Sequence, residues 1–422
     1  MSVRAGTVAG TFAGLVMAGL AALPAQAEPV TIQYMDWKLN DSQAILDFYT
    51  AVAAEFEAAN PDIKVELVPV QWEQRVQKFT TEVQAGLPRD AIRLSKDDLV
   101  TLNPLLEPLG PLMLEAGISG LVEAMPQSVV HDSLTFNGEL YGIIHNVSAD
   151  GLMYNKRLFE EAGLDPDKPP RTWEEFRAYS ERLTQPPQQY AYAMFGAKSA
   201  SSARRWLRLF WDAGCEFITR DFTRAAFLDK PECIAAFTRE INFATVDKFT
   251  PPGAASADFE FVITAFAQRR VAMHAGGSNN AAIAESRNPG ILAELALAPM
   301  PETGAALASG DVMAIPKGAK HPLEAMRWLA FLNSKDMQVR SALVLNVTPA
   351  RADAIADARI QADPMLAFSP PAEALFAGYS TPKWPEVQEV LFDMVQGALL
   401  EEQTPEDALR DGAARIDAIL AN

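Results

Sequence analysis

The chain has few of the residues on which metal-binding and motif-bearing enzymes depend. Its 422 residues include two cysteines and four histidines. His131, His145, His274 and His321 are scattered, so no zinc or haem ligand spacing occurs. There is no G-x-S-x-G, no H-E-x-x-H and no P-loop, so the commonest motif-bearing hydrolase and nucleotide-hydrolase classes are unsupported. Basic residues are also in deficit: 36 Lys and Arg stand against 54 Asp and Glu, a net charge of −18. That balance argues against nucleic acid and anionic membrane surfaces as partners. It selects no substrate, because an acidic surface can still hold a cationic pocket. Beyond the N-terminus the apolar runs are interrupted by charge, and no spanning helix is predicted.

What is present begins with MSVRAGTVAGTFAGLVMAGLAALPAQA. One positive charge at Arg4, a stretch of apolar and small residues to Leu23, the breaker Pro24 and then Ala25-Gln26-Ala27 make the order of a secretory signal peptide. Residues 1–27 are therefore expected to be removed, leaving a mature chain that starts at Glu28 and is long enough for two domains or lobes. A membrane anchor fits less well, because the run is short, rich in Gly and Ala, and not followed by a cysteine that would carry lipid. In an exported protein Cys215 and Cys233 either form one disulfide or stay as two buried thiols, and both readings stand.

Along the chain, VTIQYM alternates as a half-buried strand and breaks at Asp36-Trp37-Lys38. Ile45, Phe48, Val52 and Phe56 recur at helical spacing up to Asn60-Pro61. IKVELVPV then reads as a strand, and WEQRVQKFTTEVQAG as a helix ended by Gly86. This β-α-β-α order marks an open α/β sheet. Ligands of such sheets lie beyond the carboxyl ends of the strands. That rule nominates Trp37 and Lys38, then Gln71-Trp72, then the Ser95-Lys96-Asp97-Asp98 turn after AIRL. Further on, Asn137-Gly138 is a tight turn between strand-like runs, and GLMYN is another strand. KRLFEEAGL reads as a short helix closed by Gly163, and Thr172-Trp173-Glu174-Glu175 has capping-box spacing.

Several segments together resemble the extracellular solute-binding proteins of ABC importers, in particular their maltose-binding-protein-like carbohydrate group. They are FEAANPDIKVELV, NGELYGI, GLMYNKRLFEEAGLDPDKPPRTWEEF, AFAQRRVAM with HAGGSNN, DVMAIPKGAKHPLEAMRWLAFL, and VTPAR, in that order. The resemblance implies an α/β, two-lobe periplasmic-binding-protein fold of class II, with a ligand cleft between lobes that close like a hinge. Lobe I would comprise 28–146 and 309–347, and lobe II 148–308 and 349–422. Asn146 to Asp150 would be the first crossing. A small carbohydrate and the transmembrane subunits of an ABC permease are the implied partners, and a monomer is the implied state.

Mapped onto this sequence, the resemblance makes Trp37 and Lys38 the first cleft loop and Asp97 the next lobe I contact. Ser148 stands where maltose-binding protein uses a carboxylate, with Asp150 two residues on. In SARRWLRLFWDAG, Arg204 and Arg205 take positions that carry aromatics in the maltose group. Either Arg204, Arg205 and Arg208 form a solvated basic face, or a guanidinium points into the cleft, where it would clamp a phosphate, sulfonate or carboxylate. Asn279 replaces a stacking tryptophan, Asn280 follows it, and Gly276-Gly277 either bring backbone N–H groups to the ligand or form an ordinary turn. Trp384 is a second aromatic candidate, and Arg351 faces either cleft or solvent. Trp328 is expected in the core, and Trp173 and Trp206 in packing. Two other classes remain: a secreted glycosidase, which needs paired carboxylates such as Asp97 and Asp150 across a cleft, and a sensor that delivers sugar to a chemoreceptor or kinase.

Overall fold

Alternation in VTIQYM buries Ile32 and Tyr34 completely, and the strand it forms organises the first half of the molecule. The computed structural model describes residues 1–3, 5–6, 28–368, 375–376, 378–379 and 381–421. Arg4 and residues 7–27, where the signal peptide is expected, lie outside the described residues. In chain order the strands are β1 (Val30–Asp36), β2 (Ile63–Pro69), β3 (Ala91–Ser95), β4 (Thr135–Phe136), β5 (Glu139–Leu140), β6 (Ile143–Ile144) and β7 (Asn146–Ala149). They continue with β8 (Gly151–Asn155), β9 (Tyr190–Ala193), β10 (Val271–Gly276), β11 (Leu295–Ala298), β12 (Ala306–Ser309), β13 (Asp311–Ala314), β14 (Thr348–Pro349) and β15 (Leu375–Phe376).

The fold is α/β with two lobes, each built on its own sheet. The first sheet is five-stranded, β2-β1-β3-β13-β6. Its β1, β2 and β3 run parallel, with Val30 opposite Ile63 and Tyr34 opposite Ala91, while β13 returns antiparallel to β3. The helix Gln43–Ala59 starts where the Ser42 hydroxyl accepts from Ile45 N–H. It lays Tyr49, Val52 and Phe56 on that sheet. Trp328, fully buried, meets Tyr34 and Phe56 edge-on at 5.9 and 5.1 Å. The second sheet is four-stranded, β11-β8-β10-β9, and its core gathers Phe176, Trp206, Phe210, Phe237 and Leu391. Trp173 packs beside this core and Trp206 is buried in it. Cys215 and Cys233 form a disulfide across an 18-residue separation.

A third sheet, β14-β7-β12-β15, joins the two. In it β7 pairs antiparallel with β12, Ser148 opposite Ser309, and with β14, Val147 opposite Thr348. Three passes of the chain thus lie side by side between the two cores.

Local details depart from expectation in two places. The segment from Trp72 opens with a 3-10 turn, Trp72–Gln74, and the α-helix runs only from Arg75 to Gln84. At Thr172 the hydroxyl accepts from Glu175 N–H, but the Glu175 carboxylate accepts from Arg171 N–H, one residue before the cap. The complete capping box lies at Ser95–Asp98 instead, where side chain and backbone bond reciprocally. The Asn137-Gly138 turn is as expected: both residues have positive φ, 52° and 81°, and join β4 to β5.

Candidate functional site

Because β1 and β3 are neighbours, the turns that follow them emerge together on one face of the first lobe. Asp36 ends β1 fully buried and accepts from Arg93 Nε at 2.8 Å, Tyr34 Oη at 2.9 Å and Lys38 N–H at 2.8 Å. Arg93 also donates to Asp311 at 3.1 Å, and Asp311 accepts from Asn146 Nδ2 at 2.9 Å. This buried network ties the first cleft turn to the start of β7 and β13.

That anchoring changes the expected role of Trp37. Only 3% exposed, it meets Trp72 edge-on at 4.8 Å. Trp72 is the exposed aromatic of the pair. The Arg75 guanidinium lies 3.4 Å over the Trp72 ring and makes two bonds to the Asp98 carboxylate, at 2.9 and 2.8 Å. Lys38 is engaged with Asp41 at 2.9 Å. Burial opposes its charge, but Asp311 and Asp41 outweigh it and raise its pKa. Gln71 is exposed and makes no capping bond with its side chain.

The Lys96–Asp98 turn is the part of this lobe that reaches the second. Lys96 is buried and pairs with Asp97 at 3.1 Å. Desolvation raises the Asp97 carboxyl, but Lys96 and Arg204 together hold it below the ordinary carboxylate range. Asp98 goes the other way: burial raises it despite Arg75.

On the second lobe, Ser199 caps the helix Ala200–Asp212 by accepting from Ser202 N–H. The solvated basic face is not formed, because this helix is enclosed. Arg205 and Arg208 are 6% and 2% exposed. Arg205 is fully engaged: Nε donates to Ala275 O at 2.8 Å, Nη1 to Ser201 O at 2.9 Å and Oγ at 2.7 Å, and Nη2 pairs with Asp150 at 3.3 Å. Its guanidinium stacks 3.9 Å over Phe195, and burial lowers its pKa to about 10. Arg204, one position earlier, points elsewhere. Its Nη1 donates to Ser309 Oγ on β12 at 2.7 Å, and its Nε is buried without a partner.

Gly276 ends β10, and Gly277 precedes the helix Ser278–Arg287. A side chain at Gly276 would fall 2.3 Å from Asn280 Nδ2 and 2.5 Å from the His274 ring, so glycine is required by packing. Asn280 is 1% exposed, with an unpartnered Nδ2, while Asn279 is half-buried. Ser148 lies in β7 opposite Ser309. Arg351 is held by Asp353 through two bonds of 2.9 Å and reaches Leu121 O. Trp384 opens the helix Trp384–Leu399, donates to Gln388 Oε1 at 3.1 Å and leans on Tyr379 at 5.5 Å.

A cavity of about 250 Å³ lies where the two lobes meet. Lys96, Asp97 and Thr101 wall it on one side, and Arg204, Leu207 and Trp384 on the other. Of the residues nominated from sequence, it brings together Lys96, Asp97 and Asp98 of the turn after β3 with Arg204 and Trp384. Trp37, Lys38, Gln71, Asp150, Arg205, Gly277, Asn279, Asn280 and Arg351 are not among its lining residues. It adds Tyr379, Thr381 and Gln388, which sequence reasoning missed. The one available signal was an aromatic at Tyr379 in the Gly-Tyr-Ser-Thr-Pro stretch before Trp384. A wider hollow of about 580 Å³, lined by Trp211, Glu216, Arg220 and Lys230, receives no residue from the first sheet's lobe among the described residues. The interlobe cavity thus combines an aromatic wall with a guanidinium, an ammonium and carboxylates, the equipment for holding a small polar solute by C–H contact and hydrogen bonds.

Residues 40–339 match the model of the bacterial extracellular solute-binding protein family, and the chain belongs to that family. It is similar to a binding protein of Brucella abortus (strain 2308), 26% identical over 419 residues and covering 98% of each chain. A solved structure of an ABC transporter solute-binding protein from Thermotoga lettingae TMO, bound with α-D-tagatose, superposes with a TM-score of 0.77 at 26% identity. The match covers 93% of this chain and 100% of that one. A shorter similarity, 28% identity over 149 residues and 34% of each chain, is to the sn-glycerol-3-phosphate-binding periplasmic protein of Salmonella paratyphi A (strain ATCC 9150 / SARB42).

Proposed function

We propose that this protein is the periplasmic substrate-binding component of an ABC importer, exported by a cleaved signal peptide, that captures a sugar or sugar derivative in its interlobe cavity. The observation that carries the reading is the cavity itself. Trp384 and Tyr379 line it together with Asp97, Arg204 and Gln388, so aromatic surface for C–H groups and polar groups for hydroxyls share one space of about 250 Å³. The tagatose-bound relative supports a carbohydrate ligand. Residues 28–146 with 309–347 would move against 148–308 with 349–422 about the three adjacent strands. A closed form favoured by ligand would give the permease a surface that reports loading.

No bond needs to be broken for this task. A glycosidase reading would require a carboxylic acid with a raised pKa opposite a second carboxylate. Asp97 is instead held low and Asp150 is paired with Arg205, while Asp98, a carboxyl on the cavity wall that burial raises, is clamped by Arg75 through two bonds and accepts from Ser95 N–H, so it is not presented as a free acid. The protein would act as a monomer.

A thermal-shift screen of the mature protein against neutral sugars, oligosaccharides, polyols and their charged relatives tests the proposal. A ligand at a thousandfold its Kd adds about 4.1 kcal/mol to native stability. The expected hit is a carbohydrate whose shift disappears in Trp384→Ala. A panel in which no carbohydrate or polyol stabilises the protein would refute the reading.

A further inference from the structure

Resting on the sugar-binding reading, we infer that the solute carries an anionic group, a phosphate or a carboxylate on a monosaccharide- or polyol-sized body, and that Arg204 receives it. At and near the cavity the other charges stand in oppositely charged pairs. Lys96 pairs with Asp97, Arg75 clamps Asp98 with two bonds, and Arg205 pairs with Asp150. Arg204 differs: among the described residues no carboxylate lies within ion-pair distance of it, and its only hydrogen-bond partner is the neutral Ser309 hydroxyl at 2.7 Å.

A guanidinium taken out of water without a counter-charge is costly, and so is a buried N–H with no acceptor. Arg204 has the second feature: its Nε is enclosed and unpartnered, while its half-buried side chain lines the cavity. An anion entering with the ligand would supply a direct counter-charge and acceptors, and the planar fork of arginine suits bidentate contact with carboxylate or phosphate. The neighbouring carboxylates are already engaged: Asp97 draws on Arg204 electrostatically but is bonded to Lys96, and Asp98 is held by Arg75. Ser309 belongs to β12, one of the three passes between the lobes, so the bond from Nη1 holds the guanidinium at the cleft base. Tyr379 and Trp384 would then cover the C–H face of the ligand body. The size of the cavity limits that body to a small solute.

The test is calorimetric titration of the mature protein with matched probes: glycerol against sn-glycerol 3-phosphate, and D-glucose against D-glucuronate and D-glucose 6-phosphate. The anionic member of at least one pair should bind about tenfold or more tightly than its neutral partner, and that preference should weaken at high salt. Arg204→Gln should abolish the preference while the unliganded protein keeps its native circular dichroism. Arg204→Lys, which retains charge without the fork, should fall between, and it serves as the variant to read if the glutamine protein fails to fold. Neutral probes binding as well as anionic ones, with Trp384 still required, would overturn this inference and leave sugar binding standing. Anion binding unchanged by both Arg204 variants would overturn it too. Failure of all three anionic probes, with a neutral sugar found in the wider thermal-shift panel, would overturn the inference alone; only an empty panel would overturn the reading on which it rests.

Discussion

Acid should destabilise this protein well above the range in which carboxylates titrate, because each of its two cores holds a histidine that stays neutral. His145 is 1% exposed and lies between Asn333 Oδ1, 3.2 Å from Nδ1, and Ser341 Oγ, 3.1 Å from Nε2. A neutral ring donating from Nδ1 and accepting at Nε2 satisfies both. Burial, reinforced by Arg93 and opposed by Asn333 and Asp311, lowers its pKa to about 3. His274, fully buried beside Arg205 and Asp150, is lowered to about 4, chiefly by burial.

Unfolded histidine titrates near 6.5. Between that value and the folded pKa the unfolded chain binds a proton that the folded chain refuses, so unfolding free energy falls as pH falls. Each histidine contributes a slope of about 1.4 kcal/mol per pH unit. A single transition of the whole molecule would carry about 2.7 kcal/mol per unit, and separate transitions of the lobes about 1.4 each. Lowered carboxylates such as Asp311 and Glu57 lose their contribution only as pH drops below the unfolded carboxylate values, and Asp98, raised in the fold, acts in the opposite sense, so the difference between parent and a histidine variant from about pH 6 to 4.5 reports the histidine. Urea denaturation across that window, in the parent and in His145→Asn, measures the slope. The variant should lose about 1.4 kcal/mol per pH unit of it. Equal slopes, or stability that does not change from pH 6.5 to 4.5, would refute the reasoning.

Two further outcomes are expected. Reducing Cys215–Cys233, which closes a loop of 18-residue separation, should lower stability by about 3 kcal/mol in the chain-entropy account, measured by denaturation with and without reductant. Arg205→Met should cost about 3–5 kcal/mol, because it strands the partly buried Asp150 carboxylate and frees Ala275 O and Ser201 O, whereas Arg204→Gln should leave denaturation midpoints nearly unchanged and act on binding. Comparable stability of the two variants would contradict the division of labour between these adjacent arginines.

Much of the scaffold was legible because period-2 and period-3.6 patterns report burial directly. VTIQYM, IKVELVPV, the helix after Ser42 and the Asn137-Gly138 turn all lie where their residues place them. The candidate site was less legible, because it depends on which side chain consumes which partner. Nothing in Arg204-Arg205 tells the two apart; only the approach of Asp150 and Ala275 O to one, and of Ser309 to the other, does so. Trp37 illustrates the same limit. A tryptophan after a strand resembles a ligand platform, yet Trp72 and the buried Asp36–Arg93 pair draw that turn inward. Tyr379 and Gln388 were hidden because the segment around Tyr379 has no periodicity, and Gln388 reads as one more helix-surface amide.

The central claim is that solute sits between the lobes and touches both. Calorimetric titration of the ligand found by screening, against one variant from each wall, tests it most directly: Asp97→Asn on one lobe and Trp384→Ala on the other. Each change should weaken binding by about tenfold or more, the expected loss when a buried polar or aromatic contact is removed. Undiminished affinity in both variants would place the solute elsewhere, for example in the hollow beside Trp211 and Arg220, and would contradict the account.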